Sequence, residues 1–127
     1  MYDLLIKGGT IIDGTGTPGF TGDVLIDEGQ ILAVGKLTAA AKRVIQADGL
    51  VVAPGFIDAH SHSDLKLFTD PLAKEKILQG ITTEVLGQDG LGVAPVPDSA
   101  EELQSFVEPL LGSLDGWEWR SVGEYLD

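Results

Sequence analysis

The chain has 127 residues, and its 8 Lys and Arg against 20 Asp and Glu give a formal net charge of -12. Charge of that sign repels a nucleic-acid backbone or an anionic lipid surface, so neither a nucleic acid nor a membrane is expected as a partner. The absence of cysteine removes disulfide and thiolate chemistry, and a reducing, cytoplasmic setting suits the chain.

The amino terminus, MYDLLIKGGT, breaks its apolar run with Asp3 and Lys7, which fits neither a signal peptide nor a membrane span. Short β-rich runs follow one another: Asp3 to Lys7, Thr10 to Ile12, Asp23 to Ile26 and Gln30 to Val34, separated by Gly8-Gly9, a Gly/Thr/Pro loop and Asp27-Glu28-Gly29. The pattern predicts a strand meander. Arg43 to Ala47 and Leu50 to Ala53 continue it, and the Asp48-Gly49 pair between them suits a hairpin. Gly14-Thr15-Gly16-Thr17-Pro18-Gly19 matches G-x-G-x-x-G, but it runs through a proline toward a strand. A dinucleotide fingerprint must open a helix, so nucleotide binding is not expected.

After Pro54 the rhythm changes. Phe56 to Ala59 reads as a strand, and Asp70-Pro71 offers an N-cap and first-turn proline for a helix through Ile77 and Leu78 that Gly80 closes. Ile81 to Leu86 is a second strand. Ser99 with Glu102 signals a capping box ahead of Leu103, Phe106, Val107, Leu110 and Leu111 at helical spacing, and Pro109 is expected to bend or end that helix. Strand, helix, strand, helix argues for a parallel α/β sheet or barrel, distinct from the all-β segment before it. Ser121 with Glu124 repeats the capping spacing one turn before the last residue. A closed barrel takes roughly 250 residues, so the expectation is a piece of a longer polypeptide. Trp117 and Trp119 are expected to pack rather than to bind.

Both histidines of the chain lie in PGFIDAHSHSDL, residues 54 to 65. On a strand, residues two apart share a face, which would align Phe56, Asp58, His60 and His62 and let two imidazoles converge on one metal ion at the strand's C-terminal end. Taken alone, the spacing favours two solvated loop histidines over a ligand pair. Asp58 is a candidate to orient a metal-binding ring or, equally, to cap a loop amide. Asp64 is a weaker candidate for shaping a substrate mouth.

PGFIDAHSH, preceded by the strand-rich segment and the Asp48-Gly49 turn, resembles the first barrel strand of the metal-dependent amidohydrolase superfamily. GITTEVLGQDGLGVAP (residues 80 to 95) and WEWRSVGEYLD look like the N-acyl-D-amino-acid deacylase, or D-aminoacylase, branch. The resemblance implies a fold in which residues 1–53 form part of a small β-sandwich and residues 54–127 begin a (β/α)8 barrel. It implies that His60 and His62 bind a divalent metal, most simply Zn²⁺, which activates water against the amide bond of an N-acyl-D-amino acid. It also marks a departure: many D-aminoacylases carry a metal-binding cysteine where this chain has Asp89. A carboxylate can still bind Zn²⁺ and also suits harder ions, although Asp89-Gly90 equally suits a plain turn. Further ligands and the general acid/base aspartate are expected beyond residue 127, on the remainder of the parent polypeptide, so the piece alone is expected to be inactive. A cyclic amidohydrolase of the hydantoinase or dihydropyrimidinase kind and a non-catalytic β-rich module are the alternatives.

Overall fold

The computed structural model describes residues 1–127, which divide into two compact units, Met1–Pro54 and Gly55–Asp127. The first unit is a five-stranded sheet. Strands β1 (Tyr2–Ile11), β2 (Phe20–Asp27) and β3 (Gln30–Gly35) form the expected antiparallel meander, with β2 and β3 joined by a tight turn in which Glu28 and Gly29 are both left-handed. The two N-terminal runs predicted separately are one strand. Gly8, at φ 78°, lets the chain bulge between Ile6 and Gly9 without ending the pairing to β2.

The hairpin expected at Asp48-Gly49 is absent. Strands β4 (Ala41–Gln46) and β5 (Val51–Val52) both pair with β1, and both run parallel to it, giving the order β3-β2-β1-β4 with β5 on the same side of β1. The Asp48-Gly49 turn steps the chain past the bulge instead of reversing it. Ala47 N–H donates to the Lys7 carbonyl at 2.7 Å, and Thr10 N–H donates to the Leu50 carbonyl at 2.9 Å. Leu5, Ile11, Val24, Leu25 and Ala47 are buried, with Leu5 directly opposite Leu25. Each such burial contributes about 1.5–3 kcal/mol for the larger side chains. The Gly14 to Gly19 segment is an exposed loop between β1 and β2.

The second unit opens with β6 (Phe56–Asp58), which pairs in parallel with β7 (Ile81–Glu84). Gly55 permits this approach, because a Cβ there would fall 2.0 Å from the Thr82 hydroxyl oxygen. Between the strands lie α1 (Lys66–Thr69) and α2 (Lys74–Ile77), one turn each. Asp70 does not start a helix but ends one. As the residue before a proline it is pushed out of the α region, to ψ 78°, so Pro71 sits in a loop and α2 begins only after Ala73. Beyond β7, a 3₁₀ turn (Gln88–Gly90) leads to α3 (Ala100–Leu111) and α4 (Val122–Leu126).

Ser99 caps α3 through the Glu102 amide, and Ser121 forms a complete reciprocal box with Glu124. Pro109 lies within α3, which ends two residues later at Leu111. Val107 and Leu111, one turn apart, seat that helix against Leu65, Val93 and Trp119. Trp119 donates from Nε1 to the Val93 carbonyl at 2.8 Å and stacks on Phe68 and Trp117, so both tryptophans pack, as expected.

The first unit turns on Asp23, whose buried carboxylate accepts the Gly8 and Leu37 amides, each at 2.9 Å, tying the bulge to the chain beyond β3. Those amides, Leu37 foremost, hold the Asp23 carboxyl below its ordinary value of 3.8. Its folded pKa therefore lies below its unfolded one, and its contribution is full above the unfolded value and lost as pH falls through the folded value. Asp23→Ala is expected to cost about 1–3 kcal/mol in urea denaturation of the full-length polypeptide near neutral pH. The gap between wild type and variant should narrow on acidification below the ordinary carboxylate range.

Candidate metal centre

Strand β6 ends at Asp58 because of its own side chain. Asp58 Oδ1 accepts the His60 amide two residues on, at 3.2 Å, a local turn that bends the chain out of the extended conformation. His60 and His62 therefore stand on the loop beyond the strand and not on the strand face predicted from the i, i+2 rule. Pairing with the neighbouring strand still guides this loop: Val85 N–H donates to the Asp58 carbonyl at 2.9 Å, and Ser61 N–H donates to the Val85 carbonyl at 3.1 Å.

Because β6 and β7 are parallel, the segment leaving β7 emerges beside the histidine loop and delivers Asp89. Asp89 Oδ2 lies 3.0 Å from His60 Nε2 and 3.5 Å from His62 Nε2, and the three ligand atoms all fall within 4.8 Å of one another. The imidazole centroids are 5.2 Å apart, with the rings steeply inclined. Asp89 has φ 57°, so the Asp-Gly turn and the ligand position are one feature: the left-handed residue aims its carboxylate at the imidazoles. Two neutral nitrogens and a carboxylate oxygen are a donor set that suits Zn²⁺ and also accommodates harder divalent ions. His60 and Asp89 are exposed and His62 is mostly covered, with its Nδ1 buried and without a hydrogen-bond partner.

The Asp58 carboxylate touches neither imidazole ring. Besides the His60 amide it receives Lys76 Nζ, at 2.5 Å. That hydrogen bond is the main reason the Asp58 carboxyl is held below, and the Lys76 ammonium above, their ordinary values. Lys76 also reaches Ser61 Oγ at 3.1 Å and pairs with Glu84 Oε1 at 3.3 Å, the last an ion pair without hydrogen-bond alignment. Ser61 in turn donates to Glu84 Oε2 at 3.1 Å. Sequence reasoning missed Lys76 and Glu84; the available signal was a lysine on the helix joining two parallel strands, both of which carry acidic residues at their ends.

Two imidazoles and a carboxylate meeting where adjacent parallel strands end form a candidate metal site, a donor cluster that could hold an ion at the rim of the two-stranded sheet. Residues 43–123 match the model of the Amidohydrolase family. The chain is 47% identical over 96 residues to a D-aminoacylase of Alcaligenes xylosoxydans xylosoxydans, covering 75% of this chain and 20% of that one. An N-acyl-D-glutamate deacylase of Bordetella bronchiseptica, solved with zinc and a phosphonate mimic of the tetrahedral intermediate, superposes with a TM-score of 0.72 at 46% identity, over 76% of this chain and 20% of that one. A D-aminoacylase crystal structure gives a TM-score of 0.73 at 41% identity, over 81% and 23% of the two chains. The chain belongs to the Amidohydrolase family. It spans about a fifth of the length of the curated relatives it matches.

Replacing His60 or His62 by Ala in the full-length polypeptide is expected to lower zinc affinity by more than the roughly 10–100-fold that changes behind a ligand cost, read by competition with a chromogenic chelator. Asp89→Cys, which restores a soft donor, should raise the preference for Zn²⁺ over Mn²⁺ in the same assay. Lys76→Met strands Asp58 and Glu84 without their cation and should lower the melting temperature more than the exposed control Lys74→Met.

Proposed function

We propose that the full-length polypeptide carrying this chain is a metal-dependent amidohydrolase that cleaves the amide bond of N-acyl-D-amino acids. The observation that carries this reading is the convergence of His60, His62 and Asp89 on one point in a chain that aligns with N-acyl-D-amino-acid deacylases across both ligand-bearing segments. A divalent cation, when bound, lowers the pKa of water toward about 7 and polarises a substrate carbonyl. His60 and His62 would present Nε2 to it and Asp89 a carboxylate oxygen. Asp58, through the His60 amide, fixes where the histidine loop begins. Lys76 neutralises the carboxylates beneath, which keeps that loop from being pushed apart by like charge.

In the same reading, residues 54–127 are the opening of a (β/α)8 barrel, and the parallel β6–β7 pair is its first two strands. Residues 1–53 are part of a small β-sandwich. The exposed Ile31, Leu32, Val34 and Val44 support this, since a sheet with that much open apolar surface suits a second layer. The proton-transferring aspartate and the groups that select the acyl and side chains belong to later strands.

The test is hydrolysis by the full-length polypeptide, followed as release of free amino acid. N-acetyl-D-amino acids should be cleaved and their L-enantiomers spared, with activity abolished by a chelator and restored by Zn²⁺. Turnover of hydantoins in place of N-acyl-D-amino acids would redirect the reading to cyclic amides. A metal-free protein inert on both would overturn it.

A further inference from the structure

Asp64 is 2% exposed, more deeply buried than any other carboxylate of the chain, and no basic side chain pairs with it. Its Oδ1 accepts the Gly87 amide at 3.0 Å, while Oδ2 is buried with no partner in the protein. Enclosing a carboxylate with so little return is costly, and an arrangement that costs this much calls for a reason.

The reason is in what the bond connects. Asp64 lies two residues after His62, and Gly87 flanks the Gln88–Gly90 turn, two residues before Asp89. The bond therefore ties the histidine loop to the turn that carries the third ligand. Ser61 N–H also donates to the Val85 carbonyl at 3.1 Å nearer the strand, but the turn itself is otherwise joined to the histidine loop, apart from the ligands, only by Gln88 Nε2 reaching the Ala59 carbonyl at 3.4 Å. Asp64 is itself anchored, because the Tyr125 hydroxyl donates to its carbonyl at 2.8 Å and the adjacent Leu65 is buried in the core with Val107 and Trp119. An anchored acceptor thus holds the backbone two residues before Asp89, whose own side chain is exposed.

We propose that Asp64 is a positioning residue of the metal centre, whose hydrogen bond to the Gly87 amide holds the Asp89 turn within ligating reach of His60 and His62. This rests on the metal-centre reading given above, and its test is built so that the two fail differently.

Zinc affinity by chelator competition and the visible absorption of the Co²⁺-substituted protein are measured on the full-length polypeptide for wild type, Asp64→Ala and Asp64→Asn. Wild type and Asp64→Ala are repeated in an Asp89→Ala background. Asp64→Ala should weaken zinc binding by about 10–100-fold and shift the Co²⁺ spectrum. Asp64→Asn, whose amide oxygen still accepts the Gly87 N–H, should keep most of the affinity. With Asp89 already removed, Asp64→Ala should change affinity no further. Wild-type affinity and spectrum in a folded Asp64→Ala protein, or an undiminished loss in the Asp89→Ala background, would overturn the proposal. If Asp64→Ala does not fold, Asp64→Ser takes its place, since its shorter side chain cannot span to the amide. Failure of both to fold would make Asp64 a folding residue only and also overturn it. Wild-type protein whose zinc binding ignores His60→Ala and His62→Ala would instead sink the metal centre itself.

Discussion

The candidate centre depends on the parallel pairing of β6 with β7. Two parallel strands end on the same side, so the segments leaving Asp58 and Glu84 emerge next to each other, although these two strand ends lie 26 positions apart in the chain. Antiparallel pairing would send them to opposite ends and leave the histidines and Asp89 a strand length apart. Gly55 is part of the same constraint, because the Thr82 side chain occupies the space a larger residue would need. The residues that would ligate a metal are therefore set by backbone direction before any side chain acts.

On that scaffold, local side-chain chemistry does the aiming. Asp58 ends its strand by accepting the His60 amide, and the left-handed Asp89 turns a generic Asp-Gly reversal into an inward-facing carboxylate. Beneath them Lys76, Asp58, Ser61 and Glu84 form one connected polar group. A lysine among acids in a chain of net charge -12 carries more structural weight than its type suggests, since like-charged carboxylates at adjacent strand ends repel one another unless a cation sits between them. The same economy appears at Asp23 in the first unit, where one buried carboxylate ties a bulge to a distant loop through two amides.

The carboxylate at position 89 distinguishes this chain within the resemblance its motifs carry. A thiolate would favour soft ions, whereas an oxygen donor beside two imidazoles widens the range of divalent cations the same geometry can accept. In the proposed centre the identity of one turn residue would therefore bear on the choice of metal, while the parallel strand pair governs whether the donors meet at all.

Much of this was legible in the sequence because it is written in local patterns. Alternating apolar runs set off by Gly and Asp gave the strands of the meander, and Ser-x-x-Glu spacing marked the starts of α3 and α4. The two histidines after a short strand named a candidate ligand pair, whereas Asp89 was named only through the family resemblance, its local pattern being that of a turn. What misled was also local. Asp48-Gly49 has hairpin chemistry but serves parallel strands, because β1 offers both β4 and β5 the same edge; Asp70-Pro71 has helix-start chemistry but closes α1. Only the tertiary structure decided that Asp58 holds an amide and a lysine and touches neither ring, that Lys76 and Glu84 belong to the site, and that Asp64 bridges the two ligand segments. Most of those contacts join residues 15 to 23 positions apart, or turn on which of two competing partners a carboxylate finds. Spacing along a chain encodes neighbours on one element, whereas partners across elements are fixed only when the strands choose their direction.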